Sequence, residues 1–282
     1  MRSNYSLHQI AEEDNFGFSA DDYSRFKFGD ASVAKYFGED LAKGFIRDVL
    51  SSIDEVGQLV VLPSPYAFIP TATFPLKNHF IYTLNQWLAE NGHPVAEETK
   101  VHRTTTYRED YGELDAAQRM NLISNDSFHI DKEFIKGKRL VFIDDIKITG
   151  GHERMILKMV KEYSLENDIH LLYYAELVNP NIHPRIENHL NYHSVKSIFD
   201  LQDIINGPAF SVNTRMVKYV LNYEFGAFKV FMENQTPEIC LLLFNMAIGN
   251  NYHLIEAYRR NLDYMKTNFI TTNHKKTIEH GN

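Results

Sequence analysis

A chain of 282 residues, 44% hydrophobic and 13% aromatic, carries enough apolar side chain for one large core or for a domain with a smaller attachment, which excludes a disordered tail. Its formal net charge of −8 at pH 7, with no long run of Lys or Arg, argues against a general nucleic-acid surface and leaves room for a local basic site. The single cysteine, Cys240, lies in the apolar run 239–244, so neither a disulfide framework nor a cysteine-built zinc site is available, and a reducing compartment is expected.

Residues 1–19 contain Glu12, Glu13 and Asp14 and lack a signal-peptide core, and no later run reaches the roughly 18 apolar residues of a membrane span. The expectation is a soluble, cytoplasmic chain without membrane contact. Residues 1–22 read as an N-terminal extension. From Ala31 to Ile53 the residues Val33, Phe37, Leu41, Phe45, Val49 and Ile53 recur every four positions, a helical stripe with Asp30 as its cap. Gln58–Leu62 is a β-branched strand that stops at Pro63-Ser64-Pro65-Tyr66, a constrained turn where an α/β protein places ligands. Leu76, Phe80, Leu84 and Leu88 mark a second helix, closed by Asn91-Gly92. Val95–His102 reads as extended, and 103–131 as a polar stretch of weak periodicity.

The strongest strand signal is Leu140–Ile143, which runs into Asp144-Asp145-Ile146-Lys147-Ile148-Thr149-Gly150-Gly151. A helix follows, with Met155, Ile156, Met159, Val160 and Tyr163 on its apolar face, and Ile169–Leu177 supplies the next strand. This βαβ order predicts an α/β fold with a mainly parallel sheet flanked by helices over 23–200. Beyond Asp200 the signals are helical only (Met216–Tyr223, Phe225–Met232, Pro237–Ile248 and Tyr252–Phe269), giving a C-terminal helical appendage over 201–272 and a polar tail over 273–282.

A strand entering two acids and then a Thr-Gly-Gly turn before a helix has a physical use. Gly150 and Gly151 can take positive φ and let backbone N–H groups converge on an anion, the helix starting near His152 adds its partial positive charge, and Thr149 adds a hydroxyl. Asp144 and Asp145 lie at the C-terminal end of the strand, the ligand end of an open α/β sheet, and are assigned to the 2′- and 3′-hydroxyls of a ribose. A tight strand–helix connection with merely solvated acids is the plainer reading.

Leu140–Gly151 resembles the phosphoribosyl pyrophosphate signature of type I phosphoribosyltransferases, and the fuller string over 141–153 is Val-Phe-Ile-Asp-Asp-Ile-Lys-Ile-Thr-Gly-Gly-His-Glu. Together with Tyr23-Ser24-Arg25-Phe26-Lys27-Phe28-Gly29-Asp30 it is similar to the branch associated with tellurite-resistance and stress gene clusters. The resemblance, scattered over 20–200, implies a phosphoribosyltransferase that moves a 5-phosphoribosyl group from phosphoribosyl pyrophosphate to a small nitrogenous acceptor, with Mg²⁺ as cofactor and Asp144 and Asp145 as its holders, directly or through water. It implies a ribose and 5-phosphate site of Asp144, Asp145, Lys147, Ile148, Thr149, Gly150, Gly151 and His152, with His152 standing where many relatives carry Thr or Ser. It places a pyrophosphate loop at Ser64 and Tyr66, which prolines that only end a strand would equally explain, and a lid with Arg103, Arg108 and Arg119. For Arg25 and Lys27, snorkelling over the core is slightly favoured. His183, His189 and His193 fall in the region of a hood over the acceptor, without a metal-ligand pattern. A homodimer is compatible with the reading. The alternatives are a non-catalytic phosphoribosyl- or nucleotide-binding regulator, and a silent scaffold whose helical region is an interaction module.

Overall fold

The computed structural model of this chain describes residues 2–103 and 128–270. Five parallel strands form the main sheet: β1 (Arg2–Ile10), β2 (Leu59–Pro63), β3 (Glu97–Glu98), β6 (Arg139–Lys147) and β7 (Ile169–Leu177), in the order β1-β7-β6-β2-β3. Two short antiparallel strands, β4 (His102–Arg103) and β5 (Phe128–His129), pair separately, so the expected strand over 95–102 is reduced to fragments.

The N-terminus corrects the sequence reading. Residues 2–10 are not an extension but the edge strand, in register with β7 from Arg2 opposite Ile169 to Ile10 opposite Leu177. Their polar alternation hid them, because a solvated edge strand needs little apolar surface.

Helices α1 (Ala20–Lys27), α2 (Ala31–Asp48) and α3 (Thr73–Glu90) cover one face of the sheet, and α5 (Gly151–Glu162) covers the other, with the one-turn α4 (Lys132–Ile135) preceding β6. The side chains of the strands divide accordingly. Val61, Val141 and Ile143 join Tyr23, Phe26, Phe37 and Phe80, whereas Val60, Leu140 and Phe142 join Met155, Ile156 and Met159. Asp30 caps α2 as expected, its Oδ1 accepting from Ser32 N at 3.0 Å and Val33 N at 3.3 Å.

After α6 (Ile186–Asn191) and α7 (Leu201–Ile205), the helices α8 (Thr214–Asn222), α9 (Phe225–Glu233), α10 (Pro237–Gly249) and α11 (Glu256–Met265) enclose a second core. That core also contains Phe28 and Ile69 from the α/β body. Backbone bonds lock the two together: Ser211 N donates to Gly29 O at 2.9 Å, and Thr214 N to Pro70 O at 2.8 Å. A Cβ on Gly29, whose φ is +101°, would meet the carbonyl oxygen of Ser211 at 2.5 Å, so glycine is required for this close approach. Asn250 Oδ1 accepts from Phe68 N at 2.9 Å. The helical region therefore packs on the loops at the C-terminal ends of the strands. No described helix is long and apolar enough to cross a membrane.

Candidate functional site

β6 continues through both acids and ends only at Lys147, so Asp144 and Asp145 are strand residues whose side chains reach different partners on opposite sides of the sheet. Asp144 is 5% exposed. Its Oδ1 accepts from Ser64 Oγ at 2.7 Å and from Asp145 N at 3.0 Å, and its Oδ2 accepts from His152 Nδ1–H at 2.6 Å. Thr73 Oγ1 donates to Ser64 Oγ at 3.0 Å, so a buried polar chain ties the turn after β2 to the start of α5.

Asp145 is 6% exposed and faces α1, where the hydroxyl of Tyr23 and the ammonium of Lys27 both reach its Oδ2. Tyr23 and Lys27 are four residues apart and share one face of the helix, which is why both meet the same oxygen.

The charges follow from these contacts. Burial pushes the Asp144 carboxyl up, but the charge and hydrogen bond of His152, the Ser64 hydroxyl and the charge of Lys27 together hold it below the usual carboxylate range. Burial pushes His152 down, yet Asp144 raises it above the ordinary histidine value, with Arg103 opposing and Asp145 assisting. Burial, then Asp145, drives the Tyr23 phenol far up, so it is a neutral donor.

The turn has the expected left-handed glycine at Gly150 but not at Gly151, which is already the first residue of α5 and has no positive φ. Gly150 sits at φ +68° as the N-cap of α5, and Arg154 N donates to its carbonyl at 3.0 Å. The first N–H groups of such a helix have no partner within it and point at whatever occupies the turn. Arg154 Nη1 donates to Thr149 O at 2.7 Å, which brings a guanidinium to the rim of the loop.

Lys147 is directed elsewhere, bound by Glu153 at 2.9 Å and Glu176 at 2.8 Å. Burial opposes its charge, but these two carboxylates outweigh it and raise its pKa. Glu153 also accepts from Arg2 at 2.6 Å and Asn4 at 3.0 Å, so β1 braces the first turn of α5. Tyr66 backs onto β4, its carbonyl accepting from Arg103 N at 3.2 Å while the Lys100 ammonium lies 4.4 Å from its ring centre. Ser64 is turned inward to Asp144 rather than outward. Arg103 lies in β4 opposite Phe128, and its charge opposes that of His152. Arg108 and Arg119 lie outside the described residues.

The structure thus brings Ser64, Asp144 and His152 together beside the turn Thr149–Gly151, and places Lys147 and Tyr66 in other contacts. Sequence reasoning missed Arg154, Glu153 and the joint role of Tyr23 and Lys27. For the last pair the signal was present in their four-residue spacing. Arg25 goes to Asp30, its Nε donating at 3.0 Å. Among the three histidines, His193 pairs with Asp21 at 3.0 Å, and the rings of His189 and His193 are 5.2 Å apart.

A profile of the family described as PRTase ComF-like matches residues 1–265, which takes in the edge strand and the helical region. The chain belongs to this phosphoribosyltransferase family. No curated protein sequence matches it significantly. Among solved structures, it is similar to an adenine phosphoribosyltransferase at 16% identity, over 50% of this chain and 68% of that one, with a TM-score of 0.28. A hypoxanthine phosphoribosyltransferase from Staphylococcus aureus matches at 10% identity, over 70% and 90%, with a TM-score of 0.30. A hypoxanthine-guanine phosphoribosyl transferase from L. donovani matches at 14%, over 56% and 75%, with a TM-score of 0.28. Likeness at this level is too slight to bear on the chemistry of the site.

The Mg²⁺ that the sequence resemblance implies requires near-octahedral oxygen ligands. The acid pair does not fit as its direct holder: both oxygens of Asp144 already accept hydrogen bonds, and Oδ2 of Asp145 carries an ammonium and a hydroxyl. Among the described residues, no group of three or more His, Cys, Asp or Glu side chains is arranged to hold a metal ion.

Proposed function

We propose that this chain transfers a 5-phosphoribosyl group from phosphoribosyl pyrophosphate to a small nitrogenous acceptor. The observation that carries this reading is the left-handed Gly150 at the head of α5, directly after Asp144 and Asp145, in a chain of the phosphoribosyltransferase family. The 5-phosphate sits in the turn Thr149–His152, held by backbone N–H groups, the Thr149 hydroxyl and the imidazolium of His152, which Asp144 keeps oriented and charged. Arg103 and Arg154 add positive charge at its edge.

Transfer breaks the bond from C1′ to the pyrophosphate oxygen and forms a bond from C1′ to the acceptor nitrogen. The electron pair of the broken bond leaves with pyrophosphate, and the proton lost from the acceptor nitrogen passes to water or to the departing pyrophosphate. No side-chain nucleophile is needed, so the protein contributes by positioning and by electrostatics. The likeness of 23–30 and 141–153 to the tellurite-resistance branch supports a specialised nucleoside-like product.

A second reading, binding without turnover, is favoured by one observation: both carboxylates of the pair already have partners within the chain. Incubation with phosphoribosyl pyrophosphate, Mg²⁺ and a panel of nitrogen heterocycles separates the two. Acceptor-dependent release of pyrophosphate is the expected result. Binding detected by calorimetry without release would establish the regulator, and absence of both would end the proposal.

A further inference from the structure

We propose that Lys27 is the resident cation of the acid pair, occupying Asp145 so that the protein itself holds no divalent ion there. The ammonium and Asp145 form a buried ion pair, with side-chain exposures of 11% and 8%. The Tyr23 hydroxyl completes the contact from one turn earlier on α1.

Lys27 is not free to swing away. Its backbone carbonyl accepts from Asn213 Nδ2 at 3.1 Å, and the next residue, Phe28, is wholly buried in the core of the helical region. Gly29 is then pressed against Ser211. The C-terminal helices thus clamp the end of α1 and hold the ammonium where it is. Withdrawing it would leave a buried carboxylate and a buried ammonium each without a counter-charge, which is strongly unfavourable.

The charge of Lys27 also reaches Asp144, whose oxygens are filled by Ser64, the Asp145 amide and His152. A divalent ion approaching the pair therefore meets an Asp144 whose two oxygens both accept hydrogen bonds and an Asp145 whose charge is already matched by the Lys27 ammonium on Oδ2. The sugar phosphate is received at a pair neutralised from within, and Lys27 acts as a positioning residue. Only the ligand arm of the test below rests on the sugar-phosphate reading of the turn.

Mn²⁺, followed by electron paramagnetic resonance on the full chain, is the probe for the metal. Wild type and Asp145→Asn should behave alike, whereas a Mn²⁺ site present in wild type and lost in Asp145→Asn overturns the proposal. Lys27→Gln keeps a hydrogen-bond donor for Asp145 but removes the charge. When folded by circular dichroism, it should bind Mn²⁺ at least about tenfold more tightly than wild type, and no better binding counts against Lys27. In the ligand arm, the affinity of wild type for ribose 5-phosphate should agree within about twofold in Mg²⁺ and in chelator, and a gain of about tenfold with Mg²⁺ overturns the proposal. The Mn²⁺ titration of wild type needs no ligand and no folded lysine variant. It decides whether the acid pair holds a divalent ion even where ribose 5-phosphate gives no heat and the sugar-phosphate reading itself falls.

Discussion

Two adjacent aspartates on β6 meet opposite surroundings. On the α5 side, Asp144 joins the turn after β2 to the head of α5 through a hydroxyl and an imidazole, and His152 remains one-third exposed. On the α1 side, Asp145 is sealed beneath Lys27 and Tyr23. The first contact lies beside the turn Thr149–Gly151 and is partly open, whereas the second is a brace built into the packing. Identical side chains one residue apart thus serve different ends, because a strand sends neighbours to opposite faces.

The sharpest way to break this comparison is Lys27→Met. It should destabilise the fold by about 3–5 kcal/mol in urea, since it strands a buried carboxylate. The double variant with Asp145→Leu should recover most of that loss, and a single variant as stable as wild type would show the brace to be idle.

On the other side, Asp144→Asn should cost less stability, about 1–2 kcal/mol, while weakening ribose 5-phosphate binding in calorimetry because His152 loses its counter-charge. Gly150→Val forces a β-branched residue into a left-handed backbone and should cost a similar 1–2 kcal/mol. Its ligand binding should vanish altogether. Glu153→Gln, which loosens the grip of Arg2 and Lys147 on the head of α5, should cost about 1 kcal/mol and lower phosphate affinity slightly.

A separate effect is a dependence on pH away from the site. Burial, helped by the charge of Arg139, lowers the buried His170 to about 4. Its folded value lies below its ordinary one, so the unfolded chain binds more protons between the two. Stability should hold above the ordinary histidine value and fall as pH drops from there toward about 4. Urea midpoints of wild type and His170→Asn across that range check the sign, with the slope reduced in the variant.

Much of this architecture was legible in the residues. The four-residue stripe of α2, the run Leu140–Ile143, and Gly150 before an amphipathic helix are local signals, and each appears where periodicity and turn chemistry put it. Sequence order also identified the sheet as mainly parallel. The edge strand β1 was not legible, because its polar residues find their partners in Glu153 and Glu176, about 150 or more positions away.

What the sequence determined by itself was the βαβ frame and the place of a glycine turn at a helix head within it, since both depend on short-range backbone preferences. Only the tertiary structure decided what the acids touch. Whether a carboxylate faces a ligand or an ammonium depends on which helix packs over it, and α1 reaches Asp145 across more than a hundred residues of chain, with its end held by the C-terminal helices.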